Sequence, residues 1–211
     1  MNGCLITIEG GEGAGKSTVL ESVRACIEAH GQVVHVMREP GGTALGEGIR
    51  NLVLDPALRG VCAESELLLM FAARAQLVRE RILPALAGGD WVLSDRFTDA
   101  SYAYQGGGRG QPAQRIADLE HWAAADVLPA LTLLLDVPVA QGLARAGQRG
   151  HPDRIESEQD AFFERVREAY RARARAEPTR FRVIDASRDA ASVRTDAVAA
   201  VEAFIAARAT P

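Results

Sequence analysis

Lysine occurs only once in this chain of 211 residues, at Lys16, although the chain contains 24 basic residues. It lies in the segment GGEGAGKS, residues 10–17, which matches the phosphate-binding motif G-x-x-x-x-G-K-[ST] in full. Such a loop needs a compact ammonium that reaches the β- and γ-phosphates as a point charge, and a planar guanidinium is too wide for that slot. The lysine in an otherwise arginine-using chain therefore indicates a site for nucleotide phosphates.

The segments on either side of the motif support this interpretation. Residues 5–9 form a short apolar run that is typical of a buried strand, and the apolar residues between 19 and 27 have near-helical spacing. The backbone N–H groups of the loop and of the helix N-terminus then form an anion cradle. The residues predicted to bind ATP are Gly10, Gly11, Glu12, Gly13, Ala14, Gly15, Lys16, Ser17 and Thr18.

Polar residues after two further predicted strands suggest a second ligand. Arg38 follows the second strand, and Asp95 and Arg96 follow the third. Ligands of an open parallel sheet bind beyond the carboxyl ends of its strands, so these side chains should converge on the phosphate loop. Two arginines suit an acceptor that carries a phosphate. Phe71 and Arg74 share a predicted helix and can stack on and hydrogen-bond a base, although core packing is the alternative for Phe71.

Strands and helices alternate along the chain, which predicts an α/β fold with a five-stranded parallel sheet flanked by helices. The length favours one domain, residues 1–211. The predicted strands are residues 5–9, 32–37, 91–95, 131–136 and 181–185. The predicted helices are residues 17–30, 43–53, 63–87, 112–125, 138–147, 158–176 and 189–208.

Two glycine-containing loops interrupt this pattern. Residues 106–110, GGGRG, are predicted to form a flexible turn. Residues 147–154 lie between two helices, and their glycines and arginines are typical of a hinged lid that brings guanidinium groups to phosphate.

The composition narrows the class of protein. A guanine-reading N-K-x-D segment cannot occur because the chain has no second lysine, which argues against a GTPase. The net charge of −4 and the lack of a basic stripe argue against a nucleic-acid partner. No apolar run reaches membrane-spanning length and no signal-peptide pattern is present. Three cysteines without C-x-x-C spacing suit reduced thiols, so we expect a cytoplasmic protein without a membrane partner.

Six segments, taken together, resemble bacterial thymidylate kinases. They are residues 9–18, 38–43, 71–74, 95–96, 103–109 and 153–156, and they occur in the family's order over nearly the whole chain. The resemblance implies a P-loop nucleoside monophosphate kinase-like fold with a short lid at about residues 145–156. It also implies transfer of the γ-phosphate of ATP to dTMP with Mg²⁺ as cofactor, and a homodimer built on long helices that include residues 63–87.

The resemblance also implies the roles of individual residues on the phosphate side of the site. Lys16 binds the ATP phosphates and Ser17 ligates Mg²⁺. Arg38 and Arg96 hold the dTMP phosphate. The catalytic arginine is the one in the lid, which falls on Arg149.

On the nucleoside side, the resemblance places Glu9 near the sugar 3′-hydroxyl and Tyr104 where a ribose 2′-hydroxyl would clash. Phe71 stacks on thymine, and Arg74 hydrogen-bonds it. The chain has an alanine where the family often has a serine, which leaves open the group that reads the thymine edge. The candidates are Ser101 and Gln105.

A phosphate monoester acceptor, with a second pKa of about 6, is already nucleophilic at neutral pH. No general base is needed, and catalysis reduces to positioning and charge neutralisation. The residues predicted to be catalytic are Lys16, Arg96, Arg149 and Asp95. Asp95 is the candidate for a water-mediated Mg²⁺ contact; the competing Asp136 precedes a predicted helix, and helix capping explains it better.

Two alternative functions stay open from the residues alone. One is a kinase of the same fold that acts on another nucleotide or on a small metabolite. The other is a non-catalytic ATP-binding module. Two arginines on the acceptor side argue against the second alternative, because a module that only binds ATP does not need them.

Overall fold

Five parallel strands form a single sheet in the computed structural model, which describes residues 3–149 and 152–209. The sheet order is β2-β3-β1-β4-β5, so the strand that precedes the phosphate loop is central. The predicted number of strands and their parallel direction are confirmed. The strands are β1 (Leu5–Gly10), β2 (Val34–Arg38), β3 (Trp91–Asp95), β4 (Leu131–Asp136) and β5 (Phe181–Asp185).

Helices fill the intervals between the strands, close to the predicted positions. Within the described ranges, none is both long and apolar enough to cross a bilayer. The longer helices are α1 (Lys16–Ala29), α2 (Ala44–Leu54), α3 (Ala63–Leu77), α6 (Ala113–Ala124), α7 (Val139–Ala146), α8 (Asp160–Ala176) and α9 (Ala190–Ala209). Two short helices are α4 (Leu83–Ala87) and α5 (Thr98–Ser101).

Alternation along the strands sorts side chains into two cores, one on each face of the sheet. Ile6, Ile8 and Leu93 face α1 and α9 in the larger core. Leu5 and Val92 face the opposite side, where the end of α3 and the turn after it cover them. The sheet is therefore the middle of three layers, as the alternating strand and helix pattern predicts.

The long helix predicted at residues 63–87 is one continuous rod with a π-helical turn, Val78–Ile82, between α3 and α4. Leu83 N–H donates to the carbonyl of Val78, five residues earlier. Pro84 explains the wider turn, because proline has no N–H and its ring crowds the preceding carbonyls. The proline therefore changes the winding of the helix without ending it.

The prediction of a flexible turn at residues 106–110 is wrong. After α5 the chain continues as a π-helical segment, Tyr102–Gly108, packed against α8. A Cβ atom at Gly107 would lie 2.6 Å from the Ala169 Cβ, and one at Gly108 would lie 2.4 Å from the Phe162 ring. These glycines are required by the close approach of two helices. The turn that follows is at Arg109, and Gly110 after it has a left-handed φ of 75°.

Candidate active site

A cavity of about 580 Å³ opens at the carboxyl ends of β1, β2 and β3. Its volume lies in the range of small-molecule sites. The strand register brings the predicted groups here, because Asp95 pairs with Arg38 on one side and with Ile8 on the other. Predicted site residues that line it are Glu12, Gly13, Ala14, Gly15, Lys16, Ser17, Thr18, Arg38, Asp95, Arg96, Tyr104 and Gln105.

The phosphate loop has the backbone conformation that its glycines allow. Gly13 and Gly15 have φ of 66° and 88°, and Gly15 immediately precedes α1. The Lys16 ammonium donates to the carbonyls of Gly10 and Gly11, at 3.2 and 3.1 Å. Desolvation by burial, together with the charge of Arg96, lowers the pKa of Lys16. The ammonium is thus held against its own loop at the cavity wall.

Helix α7 supports the phosphate loop from behind, and sequence reasoning missed this contact. A Cβ atom at Gly13 would lie 1.9 Å from the carbonyl oxygen of Gly142, and one at Gly142 would lie 2.4 Å from the carbonyl oxygen of Glu12. Backbone meets backbone here, so neither glycine can be enlarged without moving the loop. Gly142 carries no motif, and nothing in its neighbourhood of the sequence indicates the contact.

Arg96 is bound to the phosphate loop rather than free in the cavity. Its guanidinium donates to Glu12 Oε1 at 3.0 Å, to the Tyr104 hydroxyl at 2.9 Å and to the Gly10 carbonyl at 3.0 Å. The Tyr104 hydroxyl donates to the same Glu12 oxygen at 2.8 Å. Arg96 also has φ of 72°, a left-handed conformation that is uncommon for a residue with a Cβ and that clusters at functional sites.

Glu9 lies beneath the loop and does not line the cavity. It is fully buried and accepts hydrogen bonds from Phe97 N–H at 2.7 Å and from the Tyr170 hydroxyl at 2.7 Å. Burial raises its pKa to about 8, and the carboxylate of Asp99 adds to the rise. The structure therefore does not bring the Glu9 side chain to the wall where a sugar hydroxyl would lie.

The predicted base-binding pair on α3 is turned away from the cavity. Phe71 is buried against Leu67, Ile116 and Ala123, and the Arg74 guanidinium covers its ring at 4.5 Å. Core packing, the alternative for Phe71, matches these contacts. Its neighbour Met70 is the α3 residue on the cavity wall. One residue is a rotation of about 100° around a helix, which is enough to exchange the two faces.

Arg74 holds the floor of the site together and is itself fully buried. It donates to Glu39 Oε2 at 2.8 Å, to the Ser101 hydroxyl at 2.9 Å and to the Phe97 carbonyl at 3.0 Å. Ser101 is likewise buried and does not reach the cavity. Of the two candidates for reading a base edge, only Gln105 therefore lies on the wall.

Gln105 is 3% exposed and its amide nitrogen donates to Glu66 Oε1 at 3.0 Å. Glu66 is fully buried and also accepts from Arg154 at 2.8 Å and from Arg109 at 3.2 Å. Burial raises the pKa of Glu66, but the hydrogen bonds from Gln105 and the two arginines outweigh it and leave the pKa below its usual value. Glu66 is thus an ionised carboxylate under the cavity wall.

The two aspartates considered for Mg²⁺ have different environments. Asp95 lines the cavity, and its buried Oδ1 has no hydrogen-bond partner in residues 3–149 and 152–209. Asp136 instead accepts two bonds from Arg167, at 2.6 and 3.0 Å, and α7 has no side-chain cap, so the capping prediction for Asp136 is wrong. Among the described residues no group of three His, Cys, Asp or Glu side chains that could hold a metal ion occurs.

The predicted lid arginines have separate positions. Arg145 lines the cavity and donates to the carbonyl of Ala186 at 2.8 Å, before α9. Arg154 donates to the Val53 carbonyl at 2.7 Å and to Glu66, so it anchors the segment to α2 and α3. Arg149 ends a short 3₁₀ turn, Gly147–Arg149, and its side chain lies outside what the structure describes. Residues 150 and 151 of the predicted lid also lie outside the described residues.

Arg50 is a further cavity residue that the sequence reasoning missed. It lies on α2, donates to the Pro40 carbonyl at 3.0 Å and lines the cavity beside Arg38. Burial and the adjacent Arg38 charge lower its pKa. Arg38 is paired with Glu47 at 2.8 Å but is half exposed, so it is free to turn toward a ligand. The sequence did contain a signal for this residue, because Arg50 lies on the predicted helix at residues 43–53, which follows the Arg38 segment.

Comparisons with known proteins agree with this geometry. A family model described as thymidylate kinase matches residues 8–197. The thymidylate kinase of Alcanivorax borkumensis is 52% identical over 202 residues, covering 96% of this chain and 97% of that protein. That of Methylococcus capsulatus is 55% identical over 204 residues, covering 97% of each.

A solved structure is also similar along its full length. The crystal structure of thymidylate kinase from Ehrlichia chaffeensis matches with a TM-score of 0.78 at 29% identity, covering 95% of this chain and 100% of that one. The sheet order and the position of the phosphate loop are therefore those of a P-loop nucleoside monophosphate kinase. On this evidence the chain belongs to the thymidylate kinase family.

Proposed function

We propose that this chain transfers the γ-phosphoryl group of ATP to the phosphate of dTMP, giving dTDP and ADP. One observation carries the proposal. A single cavity is lined both by the phosphate loop with Lys16 and by the arginines Arg38, Arg50 and Arg96. A phosphate loop and three arginines in one cavity suit a donor and an acceptor that both carry phosphate.

The reaction needs no general base in this site, because the acceptor phosphate is the nucleophile. The arginines hold and aim that phosphate, while Lys16 and the loop N–H groups hold the donor. Negative charge on the transferred group is neutralised by Lys16 and by the lid. Arg96 reaches the acceptor phosphate by exchanging its bond to Glu12 for one to the ligand.

Mg²⁺ fits the donor end of the cavity. The Asp95 carboxylate, whose Oδ1 has no partner among the described residues, would supply an oxygen to the metal, directly or through water, and Ser17 would supply a hydroxyl. When bound, Mg²⁺ neutralises charge on the ATP phosphates. Asp95 is held in place by the end of β3, where its backbone lies between β1 and β2.

The nucleoside of dTMP is placed between Met70, Tyr104 and Gln105 in this proposal. Met70 supplies an apolar, polarisable surface for the thymine ring. The Tyr104 ring is fixed by edge contacts to Phe162 and Tyr170. We propose that this ring excludes a ribose 2′-hydroxyl. Arg74 contributes by holding the floor, and a direct bond from Arg74 to thymine is not part of the proposal.

The lid is proposed to add a catalytic arginine, Arg149. An arginine that acts only in the transition state lowers kcat when removed and leaves the KM for dTMP nearly unchanged. We expect Arg149→Ala to lower kcat by about 10²–10³, the lower part of the range for arginine fingers or somewhat below it. Steady-state kinetics check this; a kcat within twofold of the wild type would reassign the role to Arg145 or Arg154.

An ADP-release assay across dTMP, dUMP, dCMP, UMP and thymidine tests the proposed reaction. We expect dTMP to give the highest kcat/KM and thymidine to give none, since thymidine lacks the acceptor phosphate. A preference for another acceptor would support the alternative of a same-fold kinase with a different substrate. ATP binding without any turnover would support the non-catalytic module.

We further propose that the enzyme is a cytoplasmic homodimer that uses α2 and α3. Leu45 and Leu52 on α2 and Leu68 on α3 are each more than half exposed. Helices α2 and α3 pack against each other, and exposed apolar side chains on neighbouring elements are typical of protein interfaces. Sedimentation of the wild type and of Leu68→Asp tests the dimer, with Val183→Asp on β5 as a control at an exposed position away from these helices.

A further inference from the structure

The nitrogen and the oxygen of the Gln105 amide have different environments beside Glu66. The Gln105 nitrogen donates to Glu66 at 3.0 Å. The Gln105 oxygen is buried and has no hydrogen-bond partner among the residues that the structure describes. A buried acceptor without a donor is costly, by roughly 1–3 kcal/mol, so a ligand that supplies the donor is favoured.

Glu66 leaves Gln105 no choice of orientation. Arg109 and Arg154 both donate to it, which keeps it an ionised carboxylate with two acceptor oxygens and no proton to give. If the amide of Gln105 turned over, its oxygen would face that carboxylate, and two acceptors would repel each other. The amide nitrogen therefore has to face Glu66, and the oxygen has to be the end left for a ligand.

This fixed orientation distinguishes between pyrimidine bases. Thymine and uracil carry a donor, N3–H, on the edge where cytosine carries an acceptor nitrogen. Resting on the proposed function, we propose that Glu66 is a positioning residue that sets the amide orientation of Gln105, and that through it the site selects bases with N3–H over cytosine. Glu66 itself does not line the cavity and touches no substrate in this arrangement.

The experiment compares dUMP with dCMP, because these two acceptors differ only at the N3 and C4 edge. In wild-type protein we expect kcat/KM for dUMP to exceed that for dCMP by 100-fold or more, since a site built for one hydrogen bond rejects the analogue that lacks it. In Glu66→Gln the neutral amide at 66 accepts either orientation of Gln105. The dUMP to dCMP ratio should then fall at least tenfold.

Glu158→Gln is the matched control. Glu158 pairs with the same Arg109 but does not contact Gln105, so its variant should keep the wild-type ratio within twofold. A Glu66→Gln protein that loses activity on both acceptors equally, with an unchanged ratio, would overturn the proposal and leave Glu66 a structural residue. If Glu66→Gln does not fold, as judged by thermal unfolding, Gln105→Met is measured in its place, and an unchanged ratio there overturns the proposal as well.

The wild-type reaction with dTMP separates the two levels of inference. If wild-type protein does not phosphorylate dTMP, the proposed function fails. If it does and the Glu66→Gln ratio stays at the wild-type value, only the role of Glu66 fails.

Discussion

Met70 and Phe71 differ at the residue scale although they are neighbours on α3. The aromatic residue was the expected partner of a base, but it is buried beneath Arg74, while the thioether is on the cavity wall. Composition cannot distinguish them, because both are apolar residues in an apolar helix. Only the rotation of α3 against α6 and the sheet decides which one faces the ligand.

We expect Met70→Ala to raise the KM for dTMP at least fivefold while the KM for ATP stays within twofold, because the apolar surface under the base is lost. Phe71→Ala should instead lower the free energy of unfolding by about 3–5 kcal/mol, as expected for removing a buried aromatic side chain. Steady-state kinetics and urea unfolding of both variants check this. A large KM effect from Phe71→Ala in a stably folded protein would return the base-binding role to Phe71.

Lys16→Arg keeps the charge of the phosphate loop but should lose more than nine tenths of turnover. A planar guanidinium does not fit where the ammonium lies between the carbonyls of Gly10 and Gly11. The exposed Arg24→Lys on the same helix makes the opposite exchange and should be neutral. Turnover above a tenth of the wild-type value means that less than about 1.4 kcal/mol was lost, which would contradict the point-charge argument.

At the scale of elements, the sequence was sufficient for the strands, the main helices and the phosphate loop, because hydrophobic period and motif are local signals. It was insufficient for residues 102–108, where glycines indicated flexibility and the structure has a packed π-helical segment. The reason is that the need for glycine there comes from Phe162 and Ala169, more than fifty positions away along the chain. The close approach of this segment to α8 cannot be predicted from the sequence of either one alone.

The support of the phosphate loop by α7 leads to a prediction at this scale. Gly142→Ala introduces a methyl group 2.4 Å from the Glu12 carbonyl oxygen and must displace the loop or the helix. We expect the KM for ATP to rise at least fivefold, with a smaller change for dTMP. Gly88→Ala, just after α4, is the control, because its backbone is right-handed helical and a Cβ there meets nothing closer than 3.4 Å; it should be neutral or slightly stabilising. Equal KM values for ATP in both variants would show that α7 does not set the loop.

At the scale of the whole molecule, the side of the sheet that faces α8 contains several buried ionisable groups. Glu9 is bonded to Tyr170, and Asp99 is paired with Arg173 and Arg180. The partners are 74 or more residues apart along the chain, so local sequence gave no indication of them. The sequence predicted Glu9 and Arg96 as site residues, but it did not predict that they are connected through the Tyr170 hydroxyl.

The stability of the fold should depend on pH through Glu9. Its pKa is raised from 4.5 to about 8 in the folded protein, so between these values the folded state holds a proton that the unfolded chain releases. The stabilisation is complete below pH 4.5 and is lost as pH rises through about 8. We expect the wild-type free energy of unfolding to fall by more than about 1 kcal/mol from pH 6 to pH 8 relative to Glu9→Gln.

Urea unfolding at several pH values from 5 to 9 measures this difference. Glu21→Gln, on the exposed face of α1, serves as the control and should run parallel to the wild type. Parallel curves for the wild type and Glu9→Gln would mean that Glu9 keeps its charge in the folded protein.

The single lysine also offers a chemical measure of nucleotide binding. Apart from a free chain terminus, Lys16 is the one aliphatic amine in the sequence, and its lowered pKa gives it more of the neutral, reactive form. An amine-acylating reagent therefore has one side-chain target, and that target lies in the donor site. Mass spectrometry of the acylated protein can read how far ATP protects Lys16, so nucleotide occupancy becomes measurable on unlabelled, unmutated enzyme.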